Sequence, residues 1–322
     1  MKIYIIRLFQ ITPSLIADFR RKRTYMQLPK KIKQYALIKN LSSGYPFATG
    51  IYKDAAGEAV VIKLWQGKRK DLHYYALIHE IAVTKTLTRV QEASEASEKS
   101  PVRIPAFIDA RITHNRVLLI TQCIRGKPIG PALHPKKQWH IYSLCVSYLR
   151  ELSLACTSAQ KKNITVKSGY DFLFLYPFLL LAAIARHPEF TARLLGGIPV
   201  FARGLPHLLH MHPTTLVHGD LHPRNVLASG GRYYLVDLEQ VRFCYPEYES
   251  VVALSLKGNS SEFKKLVMKD LLEKIAQDSG KIKAVATLII NNSTHYLTDN
   301  HVSGSVSSYI RAFDTGIKLS NI

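Results

Sequence analysis

Two aspartates and an asparagine in this chain are spaced for work on a phosphoryl group. Asp220 follows the apolar pair Leu216-Val217 after a tight turn, Asn225 comes five residues later, and Asp237 lies twelve beyond Asn225. Phosphoryl transfer needs the donor's phosphates held, their charge neutralised by metal, and an acceptor hydroxyl aligned with its proton accepted. Asp220 is the candidate catalytic base, since a carboxylate can take that proton or orient the acceptor oxygen. The carboxamide of Asn225 and the carboxylate of Asp237 are the candidate metal ligands, because magnesium is a hard cation that prefers oxygen. Tyr233-Tyr-Leu-Val236 reads as a strand that mounts Asp237, and Ala228-Ser-Gly-Gly-Arg232 as the hairpin turn before it. His218 and His222 flank Asp220. In such a loop they are expected to hold its geometry by hydrogen bonding.

The order of these residues follows the protein-kinase catalytic loop, Asp-x-x-x-x-Asn with a later metal-binding Asp. The fuller run His218-Gly-Asp-Leu-His-Pro-Arg-Asn225 has Asp237-Leu-Glu239 where protein kinases have Asp-Phe-Gly. In this it resembles the aminoglycoside phosphotransferase and choline kinase family. The resemblance covers residues 40–255 and is sharpest at 218–239. It implies ATP as donor, Mg2+ as metal, and an α+β, bilobal protein-kinase-like fold. That fold has a small antiparallel-sheet N-lobe with one helix and a larger, mainly helical C-lobe. It also implies a lysine on the third strand. Lys63 in Val60-Val-Ile-Lys63 fits, and a Lys on an apolar strand is unfavourable without an anionic partner. Glu80, in the following helix, is the natural partner, with ATP phosphate the other. The phosphate-covering loop is expected at Ser42–Gly50, with Ser43 and Gly44 nearest the phosphates. Adenine is expected against the linker near Gln122 and Ile124, through backbone hydrogen bonds. Glu239 is expected near the metal, without an assigned role.

The elements that must position these groups are legible as patterns. Residues 50–53 and 59–65 read as strands around a turn, and 72–90 as a helix with Ile78, Ile81, Ala82 and Leu87 on its apolar side. Strands follow at 104–110 and 117–124. Helices are then expected at 136–158, 170–186, 190–209, 261–277 and 281–291, interrupted by short strands at 225–228 and 233–236. The expected division is a basic N-terminal extension (1–39), a nucleotide-binding N-lobe (40–126) and a C-lobe with the catalytic and acceptor-binding groups (127–322).

Composition narrows the partners without naming one. Forty-four Lys and Arg against 23 Asp and Glu leave a formal charge of +21, a surface that attracts anions. Residues 1–40 hold ten basic residues and one acid, a net +9, with the run Arg20-Arg-Lys-Arg23 beside Leu15, Ile16 and Phe19. That segment is either a solvated arm or a surface that docks on anionic lipid or an acidic substrate. The four cysteines form no CxxC pair and are expected to be free thiols in a reducing cytoplasm. No secretory signal is expected, since Arg7 interrupts the first apolar run. The longest apolar stretch, Phe172 to Ala185, is expected to be a buried helix, too short to span a bilayer.

Three readings stay open here. The first is a kinase of a small-molecule hydroxyl. The second is a lipopolysaccharide-core sugar kinase whose glycolipid acceptor lies at the inner membrane surface, a cytoplasmic protein in peripheral contact with it. The third is an inactive nucleotide-binding pseudokinase scaffold, which the presence of Lys63, Asp220, Asn225 and Asp237 opposes. A nucleic-acid partner is not expected, for there is no zinc finger or RNP-type aromatic motif. Oligomeric state is not legible.

Overall fold

The computed structural model describes residues 28–42, 47–67, 71–94, 99–130, 133–256, 259–298 and 306–321. Ser43, Gly44 and the basic run at 20–23 lie outside these residues. In chain order the strands are β1 (Lys31–Ile32), β2 (Tyr35–Ser42), β3 (Ala48–Lys53), β4 (Ala59–Gln66), β5 (Val102–Arg103), β6 (Phe107–Ile112), β7 (Arg116–Gln122), β8 (Lys127–Pro128), β9 (Thr215–Val217), β10 (Val226–Ser229), β11 (Arg232–Leu235) and β12 (Arg242–Cys244). The helices are α1 (Leu72–Ala93), α2 (Pro135–Ala155), α3 (Ser158–Lys161), α4 (Gly169–Arg186), α5 (Thr191–Leu195), α6 (Gly197–His210), α7 (Tyr248–Ser255), α8 (Ser261–Ile275), α9 (Ser279–Leu297) and α10 (Val306–Leu319). They fall into two compact units, and the short segment Val236–Gln240 belongs with the first.

The first unit is an antiparallel sheet in the order β1-β2-β3-β4-β7-β6 with α1 packed on it. Alternation along β4 and β7 sorts its two faces. Val60, Ile62 and Leu64 join Tyr35, Tyr52 and Ile120 in one apolar cluster. Trp65, Val117 and Leu119 join Tyr74, Leu77 and Ile81 of α1 in the other. The sheet starts upstream of residue 40, with Leu28, Ile32 and Tyr35 in its core.

The second unit is mainly helical and is built around α9, which packs against α4, α6, α7 and α10. Among the described residues it carries a sheet ordered β5-β11-β10-β8 and the ribbon β12-β9. The expected 228–232 hairpin forms, with Ser229 paired to Arg232 and Gly230 and Gly231 at positive φ between them. The single helix expected over 190–209 is two, broken at Gly196-Gly197. Phe313 lies where a Gly197 side chain would project, so this approach needs a glycine. The apolar stretch is helical, as α4, but only one side of it is buried. Phe172, Tyr176, Leu180 and Ala183 face the core, while Phe174, Phe178 and Leu181 face solvent, because the neighbouring helices cover one side only. All four cysteines are free. An antiparallel sheet with one helix, followed by a mainly helical unit, is the α+β arrangement expected.

Candidate active site

Lys63 stands where strand alternation puts it, on the α1 side of the sheet with Trp65. Its Nζ lies 2.8 Å from Glu80 Oε2, 2.7 Å from Asp237 Oδ1 and 3.3 Å from Glu239 Oε2. The Phe47 ring lies beneath it, 4.5 Å from the ammonium to the ring centroid. Glu80 is buried on α1, and its second oxygen accepts the Leu238 N–H at 3.2 Å. The backbone at Asp237 is left-handed, with φ +63°. Asp tolerates that region better than most side chains, and the kink opens the short turn Leu238–Gln240 that brings Glu239 to the lysine.

One ammonium against three carboxylates leaves a formal charge of −2. Burial pulls the Lys63 pKa down, but Glu80, Asp237 and Glu239 more than reverse it, so the ammonium stays charged. Burial pushes the Glu80 carboxyl up to about 7, with Lys63 pulling against it and Asp237 and Glu239 adding to the push. The two directions are compatible, because one carboxyl of three can hold a proton while Lys63 keeps its charge. Oxygens of Glu80, Asp237 and Glu239 all lie within 4.8 Å of one another. Hard donors with this charge suit a divalent cation.

In the helical unit, β9 leads into the loop that carries Asp220. Ser153 of α2 pins the strand by accepting the Leu216 N–H at 2.6 Å. Gly219 has φ +76°, a backbone that side chains rarely adopt, and so turns the chain at Asp220. The Asn225 amide donates to the Asp220 carbonyl at 2.9 Å and to its Oδ2 at 3.1 Å. His222 Nδ1 accepts the Arg224 N–H at 3.1 Å, and its Nε2 lies 3.7 Å from Asp220 Oδ2.

Three further residues belong to these clusters. Glu249, buried on α7, accepts the N–H groups of His218 and Gly219 through one oxygen, the latter at 3.2 Å. Burial pushes its carboxyl up to about 7, against the pull of backbone donors at Gly219, His218 and Leu221. The sequence offered no sign of it, since its partners are backbone groups. Tyr296 of α9 stacks on Tyr309, with 5.2 Å between centroids. Its hydroxyl pKa is raised first by burial and then by the charge of Asp220. Glu239 takes a place in the lysine cluster.

The structure thus groups Lys63, Glu80 and Asp237, and separately Asp220 and Asn225. Gln122 ends β7 with its N–H on the Ala106 carbonyl at 2.9 Å and its side-chain oxygen 3.4 Å from the Ala106 N–H. Ile124 follows the strand. In register, Lys63 pairs with Leu119 and Val60 with Gln122. The chain therefore leaves the sheet roughly 10 Å along the strand from the lysine.

A model of the APH family, described as a phosphotransferase enzyme family, matches residues 72–271. None of the curated proteins matches the chain. A microcompartment-associated aminopropanol kinase superposes with a TM-score of 0.61 at 15% identity, covering 89% of this chain and 91% of that one. The ADP-bound aminoglycoside phosphotransferase APH(2'')-Ib gives 0.53 at 16%, covering 90% and 94%. The amicoumacin kinase hAmiN, in complex with AMP-PNP, Ca2+ and its ligand Ami, gives 0.50 at 12%, covering 97% and 94%. At these identities the likeness is one of fold, the protein-kinase-like α+β class.

Proposed function

This chain belongs to the phosphotransferase enzyme family, and from that premise we propose that it moves the γ-phosphoryl group of ATP to a hydroxyl of a small molecule, with magnesium as its metal. The observation that carries this reading is the lysine held by three carboxylates. A buried ammonium with a surplus of acidic oxygens suits metal-bound phosphate better than it suits a purely structural ion pair.

Magnesium-bound ATP would supply the phosphoryl group and the charge neutralisation. Lys63 holds phosphate oxygens, and Glu80 fixes the lysine and keeps it charged. Asp237 and Asn225 offer oxygens to the cation. Asp220 accepts the proton of the acceptor hydroxyl. The Asn225 amide on Asp220 Oδ2 holds that carboxylate in one orientation and leaves the carbonyl end of the Asn225 side chain for metal. Ser43 and Gly44 lie toward the phosphates and the Gln122–Ile124 segment toward adenine in this reading, and the protein works in the cytoplasm. A second reading keeps the chemistry and takes the hydroxyl from an anionic glycolipid at the inner membrane surface. The excess of 44 basic over 23 acidic residues favours it.

The test is a screen with labelled ATP against soluble amino alcohols, sugars, amino sugars and lipopolysaccharide cores, with wild type and Asp220→Ala in parallel. Transfer to a soluble alcohol by the wild type alone supports the first reading. Transfer only to the glycolipid supports the second. Equal transfer by both proteins removes Asp220 as the base.

A further inference from the structure

We propose that the solvent side of α4 is a docking surface for a bilayer containing anionic phospholipid. Every exposed position of this helix is apolar. Tyr170, Phe174, Phe178 and Leu181 are 60%, 51%, 60% and 66% exposed, at spacings of four, four and three that set them in one stripe. Leu195 and Ile198, in the next two helices, are exposed as well, and α6 packs beside α4 through the stacked rings of Tyr176 and Phe201, 4.0 Å apart. A run of large apolar side chains in water marks an interaction site.

Charge chooses the occupant. Residues 158–210 carry six Lys and Arg and two acids, Asp171 and Glu189, a net of +4 within a chain of +21. Arg203 is exposed, and Arg193, also exposed, pairs with Asp314 of α10 at 3.5 Å, so Arg203 is the cation here that a headgroup meets unshared. A second copy on this face would bring like charges together, whereas anionic headgroups complement them. The helix would lie in the interface plane, because its other side, with Phe172, Tyr176 and Leu180, is buried in its own unit. The inference stands apart from phosphoryl transfer and does not depend on the acceptor.

The full chain is sedimented with vesicles of phosphatidylcholine alone and of equal parts phosphatidylcholine and phosphatidylglycerol. The wild type should partition onto the mixed vesicles. The triple variant Phe174→Ser, Phe178→Ser, Leu181→Ser should partition at least about tenfold more weakly, the loss expected for removing one well-buried apolar side chain. Its melting temperature and transfer rate should be unchanged. Arg203→Gln keeps the apolar stripe and should lose about fivefold on mixed vesicles only. Absence of wild-type binding, or wild-type binding by the triple variant, overturns the proposal. So does self-association that the triple variant abolishes, without vesicle binding by the wild type. That outcome would make this face an interface between copies.

Discussion

Replacing Glu249 tests how the Asp220 loop is held. Its carboxylate serves backbone donors at His218, Gly219 and Leu221, on both sides of Asp220. Each buried donor left without a partner costs about 1–3 kcal/mol, and His218 and Leu221 are both buried, so Glu249→Ala should destabilise the protein by about 2–6 kcal/mol at pH 5. The native carboxyl titrates near 7, against about 4.3 in an unfolded chain. Between those values the folded state holds a proton that the unfolded state has lost. Stability from this group is therefore full below about pH 4.3 and falls as pH rises to 7, by about 3–4 kcal/mol in all. Glu249→Gln keeps a carbonyl oxygen for the donors and cannot ionise. It should lie within about 1 kcal/mol of the wild type at pH 5, exceed it by more at pH 8 and flatten the curve between. Glu80, pushed the same way, leaves a residual slope of the same sign. Urea unfolding at pH 5 and pH 8, with transfer rates alongside, measures this. An unaltered pH slope in the Gln variant, or wild-type stability and rate in the Ala variant, would refute the reasoning.

Asp220→Ala should lower transfer by about 10²–10⁴-fold, the usual contribution of a positioned base, with nucleotide binding kept in a fluorescence titration. Asp237→Ala should remove the magnesium dependence of nucleotide binding, seen by calorimetry with and without the metal. Lys63→Met leaves Glu80 buried beside two further acids without a cation. It should lower stability by about 3–5 kcal/mol, read by thermal unfolding, and abolish transfer.

The sequence exposed the parts of this fold that leave a side-chain pattern. Val60 to Trp65 alternates cleanly, so both β4 and the face carrying Lys63 could be read. Asp220, Asn225 and Asp237 could be singled out as candidates because residue types at fixed spacing are visible in a sequence, and the structure adds the Asn225–Asp220 and Asp237–Lys63 contacts. The strand β2 was not, for its pairing with β3 shifts register twice and most of its side chains are exposed. The helix α7 is buried nearly all round and shows no stripe to detect. Glu249 sits on it and bonds only to backbone, so neither its helix nor its role had a signature. The close approach of Phe313 to Gly197 joins residues more than a hundred positions apart, a packing that no local pattern announces.

In the proposed reading, the surplus of acid around Lys63 would also act as a charge filter. A bare nucleotide, itself strongly anionic, would meet three carboxylates that share the Lys63 ammonium, and because Asp237 and Glu239 are partly open to solvent, salt would screen part of that repulsion. On that reading, a nucleotide that arrives with its cation would bring the missing positive charge and free Lys63 for the phosphates. Lys63 is buried and held by its own carboxylates, so in the proposed reading little rearrangement of the lysine would be needed on capture.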